Sequence, residues 1–460
     1  MSNETKSSIK RVAMLFSGGP APAANAVISA AASSFVRDGI QVFGMKNGYS
    51  NLVEFGPEHA MKEGRDYLNL NAQSLRRTRN TPGIMIGTAR ANPGKGVDRP
   101  EDLRDADKCK KLRTVYDALC SMEIDALVSI GGDDTLRTAY KMTKFQETLP
   151  AGSRKIPVVH VPKTIDNDYF GIDFTFGFFT AVETMAGEIR NLLADAEAGR
   201  AYFIVESMGR GAGWLAYGAA MAGEASRVIS IEDFDESTLT TEQVKNEATG
   251  QMEPHTIFKL DEFVNSIVEL MLFREEAEDK EFGVVVLAEG LAEFYPLTLP
   301  PSEEPPIEVK YDSFGHISSS SVDFGKRIAK RVARRYKEVT QSEQNVKGKD
   351  RKVNGVQLGY ETRCARPHAY DVILGSQLGV GAYRALVQEG ENGVMVSVEG
   401  QFDLKYVPFE ELVDESTLTT LVRKIRPESD FYKLARFLET NVAGPGFPDV
   451  DRRKGDRRQA

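Results

Sequence analysis

The stretch "ALVSIGGDDTLRTAYKM", residues 126–142, places a short apolar run directly before two glycines and two acids. The run "ALVSI" predicts a buried strand, and the residues after the turn predict a helix that continues through Lys144. A strand that passes through a glycine turn into a helix is the repeating unit of parallel α/β sheets. The turn also carries Asp133 and Asp134 in succession. If this turn binds a phosphate, the second acid needs an explanation, because a carboxylate repels a phosphate.

The same alternation of apolar strands and helices continues on both sides of this stretch. Further strands are predicted at residues 11–16, 41–45, 156–161, 201–207, 282–290, 355–360 and 393–400. Further helices are predicted at residues 25–36, 108–122, 174–196, 214–223, 322–339 and 372–388. Short strands that alternate with helices predict crossover connections and mainly parallel sheets. Residues 236–255 are weakly patterned and predict a loop or insertion, and residues 295–320 predict a surface insertion.

The composition is that of a globular protein of two or three domains, with 460 residues and 41% hydrophobic residues. No run of 18 apolar residues occurs, and the first residues, "MSNETKSSIKR", lack an apolar signal core, so no membrane span is expected. The three cysteines are too scattered for a disulfide framework or a zinc site. We therefore expect a cytosolic protein. Its net charge of −9 argues against nucleic acid as a partner.

Polar loops follow five of the predicted strands. They are "SGGPAP", "GGDD", "PKTIDND", "MGRGAG" and the "EG" that ends "VVVLAEG". In parallel α/β sheets, ligands bind beyond the carboxyl ends of the strands, so these loops are expected to form one site. In the first loop, Gly18 and Gly19 let backbone amides approach a phosphate, and the helix that follows favours an anion at its start.

The loop "TIDND" has two interpretations. Asp166 and Asp168 can point toward a substrate hydroxyl and a metal ion, or they can form an Asx-type turn that caps the long helix behind them. Asp133 is a third candidate carboxylate, and fixed positive charge is available from three arginines, Arg90, Arg210 and Arg363. Carboxylates, arginines and glycine loops together suit phosphoryl transfer, which needs magnesium, a base and cations that spread charge.

Seven ordered motifs carry a resemblance to a known family. They are "SGGPAPAANAVI", "GTAR", "GGDDT", "PKTIDND", "MGRGAGWLA", "AEG" and "LGYETRCARP". Together they resemble the phosphofructokinase family over residues 11 to about 385. The resemblance implies an α/β fold of two similar Rossmann-like lobes with mainly parallel sheets and the active site in the cleft between them. It implies a donor-binding lobe at 1–160, a sugar-phosphate-binding lobe at 161–390, and a C-terminal extension with a basic tail at 391–460.

The resemblance also implies roles for the catalytic residues. Asp166 would be the base for the C1 hydroxyl of fructose 6-phosphate, and Asp168 would share the environment of the magnesium ion, which Asp133 helps to bind. Lys163 and Arg210 would neutralise the charge of the transferred and leaving groups. The acceptor-binding residues implied by the resemblance are Thr164, Asp166, Met208, Gly209, Arg210, Glu289, Tyr360 and Arg363.

The donor side of the site decides between members of the family. The implied donor-binding residues are Gly18, Gly19, Arg90, Gly132 and Asp134. ATP-dependent members typically have glycine at the position of Asp134, which leaves room for the nucleotide. An Asp there adds bulk and negative charge where the α-phosphate would lie, while Lys163 supplies a compact cation for a short donor. The sequence therefore resembles the pyrophosphate-dependent members.

The expected activity is a reversible, Mg²⁺-dependent transfer from pyrophosphate to fructose 6-phosphate, which makes the protein a phosphotransferase. Two alternatives are an ATP-dependent 6-phosphofructokinase and a non-catalytic regulatory subunit that binds sugar phosphates. The family resemblance further implies a homodimer or homotetramer.

Overall fold

The computed structural model describes residues 9–245, 251–300, 322–341, 345 and 347–442. The strands are β1 Arg11–Ser17, β2 Gln41–Met45, β3 Tyr67–Leu70, β4 Ala126–Gly131, β5 Val158–Pro162, β6 Ala201–Ser207, β7 Arg227–Ile229, β8 Leu239–Lys245, β9 Met252–Phe258, β10 Gly283–Ala288, β11 Lys352–Leu358, β12 Val394–Glu399, β13 Asp403–Pro408, β14 Val413–Asp414 and β15 Thr419–Thr420. The α-helices are α1 Ala24–Arg37, α2 Lys110–Ser121, α3 Asp133–Glu147, α4 Phe178–Gly199, α5 Trp214–Ala222, α6 Leu260–Ala277, α7 Phe324–Val339, α8 Ala369–Tyr383 and α9 Asp430–Leu438. The predicted α/β class with mainly parallel sheets is confirmed. In the described part of the chain, no helix is long and apolar enough to cross a membrane.

The chain divides into two compact units. Unit 1 contains residues 1–181 and 361–423, and unit 2 contains residues 182–360 and 424–460. These boundaries differ from the predicted ones at 160 and 390. The second boundary differs because β12 pairs with β5 of the first sheet and β13 pairs with β12. Residues predicted to form a separate C-terminal extension therefore belong partly to unit 1.

Unit 1 is built on a seven-stranded sheet of order β13-β12-β5-β4-β1-β2-β3. Its inner neighbours are parallel, and β13 and β3 pair antiparallel at the two edges. β4 is buried along its whole length, as expected for a central strand of a sheet that is covered on both faces. Gly131 pairs with Ser17 on one side and with Pro162 on the other, so three predicted loops leave the sheet at the same edge.

Unit 2 is built on a four-stranded parallel sheet of order β11-β6-β10-β7. Ser207 pairs with Ala288 and with Leu358, so the loops after β6, β10 and β11 also begin at one edge. The core of the unit packs aromatic rings from several elements against this sheet, among them Phe258 and Phe324, whose ring centroids lie 6.2 Å apart. The apolar side of α7 faces this core, as its amphipathic pattern predicts.

Residues 236–255, for which the sequence predicts a loop or insertion, contain two strands in their described part. The chain there forms an antiparallel pair, β8 with β9, from the Leu239–Phe258 pairing to the Lys245–Met252 pairing. Its residues are mostly exposed or half-buried, so the strands lack the apolar run on which the sequence prediction depended. Most of the predicted insertion at 295–320 and the basic tail "DRRKGDRRQA" lie outside the described residues.

Candidate active site

Three strand-end loops of unit 1 meet around the side chain of Lys163. A Cβ atom placed on Gly18 would lie 3.6 Å from Lys163 Nζ, and one placed on Gly132 would lie 3.4 Å from the same atom. Gly18 has a φ of 91°, which favours glycine there. Lys163 is 7% exposed, and its backbone N–H donates to Gly131 O at 2.9 Å. The structure thus brings the predicted Gly18, Gly132 and Lys163 together around one ammonium group.

The first loop is held by the "GTAR" motif. Ser17 Oγ and the Gly18 N–H both donate to Ala89 O at 3.0 Å, and Thr88 Oγ1 donates to Gly18 O at 2.7 Å. Arg90 follows directly and is exposed. A Cβ on Gly19 would meet no atom within 4 Å, so this glycine borders open space. The loop therefore presents backbone beside a cation, an arrangement that favours the binding of phosphate groups.

The two acids of "GGDD" form the first turn of α3. Gly132 is the residue that precedes the helix, and Asp133 and Asp134 are its first two residues. Asp133 is exposed. Asp134 Oδ1 lies 3.6 Å from Arg137 Nη1, and the Asp134 side chain is one-third exposed. Acids in a first turn interact favourably with the helix dipole, so both residues also have a structural role.

The "TIDND" loop is shaped by its central asparagine. Asn167 is fully buried, has a φ of 56°, and accepts the Thr175 N–H at 2.9 Å through its side-chain oxygen. The Asp166 N–H donates to Thr164 Oγ1 at 3.0 Å, and the Oδ1 atom of Asp166 is buried. α4 begins only at Phe178. The buried side chain of Asn167 therefore shapes this turn, since it also donates to Asp173 O at 3.2 Å.

A buried polar chain that sequence reasoning missed lies under these loops. Tyr169 Oη donates to Gly131 O at 3.0 Å, and His160 Nε2 lies 3.2 Å from Tyr169 Oη. His160 Nδ1 lies 3.4 Å from Ser129 Oγ. Burial lowers the pKa of His160 to about 3, so the ring is neutral. These hydrogen-bonded groups connect the turn after β4 to the loop after β5, and none of them is charged.

Unit 2 brings together a second group of predicted residues. The Gly209 N–H donates to Glu289 Oε2 at 3.1 Å, and Gly209 has a φ of 138°. The Met208 N–H donates to Leu358 O at 3.0 Å. A Cβ on Gly290 would lie 2.3 Å from Arg210 O, so only glycine fits beside that carbonyl. The "MGR" and "EG" motifs are therefore packed against each other.

The remaining predicted residues differ in exposure. Arg210 is exposed, and Tyr360 is 66% exposed at the end of the loop after β11. The unit boundary falls directly after Tyr360, so the half-buried Arg363 belongs to unit 1. Thr164 is buried and Asp168 is half-buried, and both belong to unit 1.

Glu206, in β6 just before the "MGR" motif, is a carboxyl group whose pKa is raised by burial. It is 4% exposed and accepts the Gly325 N–H at 2.9 Å, and burial raises its pKa from 4.5 to about 7. Between these pH values the folded state holds a proton that the unfolded state has released. This group therefore lowers the free energy of unfolding as the pH rises from about 4.5 to about 7, and the full loss persists above pH 7.

Replacement Glu206→Gln is expected to raise the free energy of unfolding by about 2–3 kcal/mol at pH 8 and to change it little at pH 4.5. The amide keeps an oxygen that can accept the Gly325 N–H. Urea denaturation of both proteins at the two pH values measures the effect. Glu188→Gln, at an exposed position of α4, is the matched control. A gain that is equal at both pH values would contradict the assigned cause.

The carboxylates of unit 1 supply oxygen ligands of the kind that magnesium binds. Asp133 is exposed at the start of a helix, and Asp166 and Asp168 flank Asn167 in the neighbouring loop. Among the described residues, no group of three or more His, Cys, Asp or Glu side chains is arranged to hold a metal ion by itself. Magnesium is commonly held by one or two carboxylates together with substrate phosphates, so such a group is not required.

Glycine loops, a buried lysine and carboxylates at the carboxyl ends of parallel strands are typical of enzymes that bind phosphate groups. The chain belongs to the phosphofructokinase family, since residues 11–386 match the family model described as "Phosphofructokinase". The prediction of a phosphotransferase of this family is confirmed.

Curated relatives and a solved structure agree with this assignment. The pyrophosphate–fructose 6-phosphate 1-phosphotransferase of Naegleria fowleri is 32% identical over 460 residues, which cover 98% of this chain and 92% of the relative. An ATP-dependent 6-phosphofructokinase of Corynebacterium efficiens is 29% identical over 429 residues, which cover 92% of this chain and 99% of the relative. The crystal structure of the pyrophosphate-dependent phosphofructokinase from Nitrosospira multiformis matches with a TM-score of 0.62 and 18% sequence identity. The match covers 96% of this chain and 94% of the other. The structural match supports the phosphofructokinase fold.

Proposed function

We propose that this protein is a pyrophosphate-dependent 6-phosphofructokinase. It transfers a phosphoryl group from pyrophosphate to the C1 hydroxyl of fructose 6-phosphate and gives fructose 1,6-bisphosphate and phosphate. The reaction is reversible and depends on Mg²⁺. The name of the Naegleria fowleri relative supports this donor and this acceptor.

The observation that carries the choice of donor is Asp134. Its side chain stands in the first turn of α3, beside the loop in which Gly132 approaches Lys163. A nucleotide would have to place its α-phosphate and ribose near this carboxylate. Pyrophosphate ends before that point and needs only a compact cation and backbone amides, which Lys163 and the Gly18–Gly19 loop supply.

The residues of unit 1 have distinct roles in the proposed reaction. Asp166 accepts the proton of the C1 hydroxyl as that oxygen attacks the phosphoryl group in line. Lys163, held beside Gly18 and Gly132, neutralises the leaving phosphate. Asp133, with the neighbouring Asp168, would hold magnesium. When bound, the ion would offset the negative charge of the phosphate oxygens.

The residues of unit 2 serve the acceptor in this proposal. Glu289 fixes the Gly209 amide and binds sugar hydroxyls, and Met208 packs against the sugar. Arg210 spreads the charge of the transition state, and Tyr360 holds the 6-phosphate together with Arg363, which belongs to unit 1. Positioning and preorganised charge provide most of the rate acceleration in this type of reaction.

Two other candidates remain testable. An ATP-dependent 6-phosphofructokinase is favoured by the Corynebacterium efficiens relative, whose name states that donor. A non-catalytic subunit that binds sugar phosphates has no need of Asp166 and Lys163, which are both present. A cytosolic location and a homodimer or homotetramer stay predictions.

The decisive experiment compares pyrophosphate and ATP as donors for fructose 6-phosphate in the presence of Mg²⁺. We expect kcat/KM with pyrophosphate to exceed that with ATP by about 100-fold or more, which corresponds to about 2.7 kcal/mol. The reverse reaction from fructose 1,6-bisphosphate and phosphate should also proceed. Activity with ATP alone would contradict the choice of donor, and activity with neither donor would favour the regulatory subunit.

A further inference from the structure

A segment beyond the family match contacts helix α3 and the "TIDND" loop. The family model ends at residue 386, whereas residues 413–423 follow later in the chain and belong to unit 1. In this segment, Leu418 O accepts a hydrogen bond from Arg137 Nε at 3.1 Å, and Arg137 is the residue that pairs with Asp134. The segment therefore supports the donor-selecting turn, although its own residues carry none of the family motifs.

The second contact of the segment is made by Arg423, on the "TIDND" loop. Arg423 Nη2 donates to Asn167 O and to Asp173 O, both at 2.7 Å. The Arg423 N–H donates to Asp168 O, also at 2.7 Å. One guanidinium nitrogen thus joins the beginning and the end of the loop 167–173, and the backbone of the same residue fixes a third carbonyl between them.

The backbone around Arg423 adds to this hold. Val422 forms an antiparallel bridge with Tyr169, the residue whose hydroxyl donates to Gly131 O. The backbone of Asn167 lies in the left-handed region, with a φ of 56°, a conformation that asparagine adopts more readily than most residues. Burial lowers the pKa of Arg423 to about 10, so the side chain still carries its charge near neutral pH. Hydrogen bonds from a charged donor are shorter and stronger than neutral ones.

We propose that Arg423 is a positioning residue for the reaction, which holds the "TIDND" loop so that the Asp166 carboxylate points at the acceptor hydroxyl. Arg423 acts through the backbone of Asn167 and does not itself need to touch the substrate. This role rests on the proposed function of Asp166 as the base. It makes the residues after the family match part of the catalytic apparatus.

The test compares Arg423→Ala with Arg426→Ala, a matched control whose side chain is 77% exposed. We expect Arg423→Ala to lower kcat about 10- to 100-fold, since a misplacement of about 1 Å costs rate of this order. KM for fructose 6-phosphate should stay within about threefold, because the residues proposed to bind the sugar are unchanged. Millimolar guanidinium should restore part of the lost kcat in Arg423→Ala and leave the wild type and Arg426→Ala unaffected.

A direct readout of the loop separates this proposal from the proposed function. Amide hydrogen exchange of residues 164–175 should be about tenfold faster in Arg423→Ala than in the wild type, whether or not the wild type is active. If the wild type uses only ATP, the donor assignment fails, and the effect on kcat is measured with ATP. If Arg423→Ala does not fold, Arg423→Lys, which keeps the charge but not the planar group, should still show lowered kcat and faster exchange. Unchanged exchange, or kcat within about twofold of the wild type in the folded variant, would overturn the proposal.

Discussion

Replacement of Asp166 by Asn is expected to lower kcat about 10³- to 10⁴-fold, with little change in KM for fructose 6-phosphate. Asn has nearly the same shape as Asp but cannot accept the proton of the attacking hydroxyl. The backbone of the position is set by its own N–H, which donates to Thr164 Oγ1 at 3.0 Å, and by the neighbouring Asn167. The loop should therefore keep its conformation, so that the loss falls on the chemical step. Initial rates with pyrophosphate over a range of sugar concentrations measure both parameters.

A matched variant checks that the loss is chemical. Asp173→Asn makes the same replacement at an exposed side chain of the same loop, and it leaves the Asp173 carbonyl to accept from Arg423. Its kcat should stay within about threefold of the wild-type value. Equal losses in Asp166→Asn and Asp173→Asn would point to a general disturbance of the loop. A kcat for Asp166→Asn within about tenfold of the wild type would remove Asp166 from the role of base.

Much of unit 1 could be predicted because local patterns and general topology agree there. The run before "GGDD" is uniformly apolar and forms the fully buried strand β4. Parallel strands place their carboxyl ends at one edge, so the meeting of Gly18, Gly132 and Lys163 follows from the positions of three loops in the sequence. The glycines could be assigned to the site because a residue beside a phosphate needs exposed backbone.

Contacts between distant parts of the chain could not be predicted. Arg423 and Asn167 are separated by 256 positions, and nothing in "TLVRKIRP" distinguishes this arginine from its exposed neighbours. The sequence gives no sign of the part played by Asn167, whose buried side chain shapes the turn. The sequence does not predict β8 and β9, because most of their residues are exposed or half-buried and neither strand contains a buried apolar run. A strand pattern also does not say which sheet the strand joins, which is why β12 and β13 were set apart from unit 1.

Replacement of Asp134 by Gly is expected to raise the ratio of kcat/KM with ATP to kcat/KM with pyrophosphate about 10- to 100-fold. Two effects act together, since glycine removes both the bulk and the negative charge beside the position of an α-phosphate. Arg137, 3.6 Å from the carboxylate, offsets only part of that charge, because the pair is partly exposed and solvent screens it. Once the acid is gone, Arg137 also becomes available to a nucleotide phosphate. Initial rates with each donor at saturating fructose 6-phosphate measure the ratio.

The replacement Asp134→Gly also affects stability, and a second replacement separates the effect of the charge from the effect of the bulk. Glycine in the first turn of α3 should cost about 1 kcal/mol of folding stability, and the lost interaction with the helix dipole adds a few tenths. Asp134→Asn removes the charge but keeps the bulk, so its donor ratio should lie between those of the wild type and Asp134→Gly. An Asn variant that equals the Gly variant would assign donor choice to charge alone, and one that equals the wild type would assign it to bulk alone. A ratio in Asp134→Gly that stays within about threefold of the wild type would show that Asp134 does not select the donor, and the choice of pyrophosphate would then need a different residue.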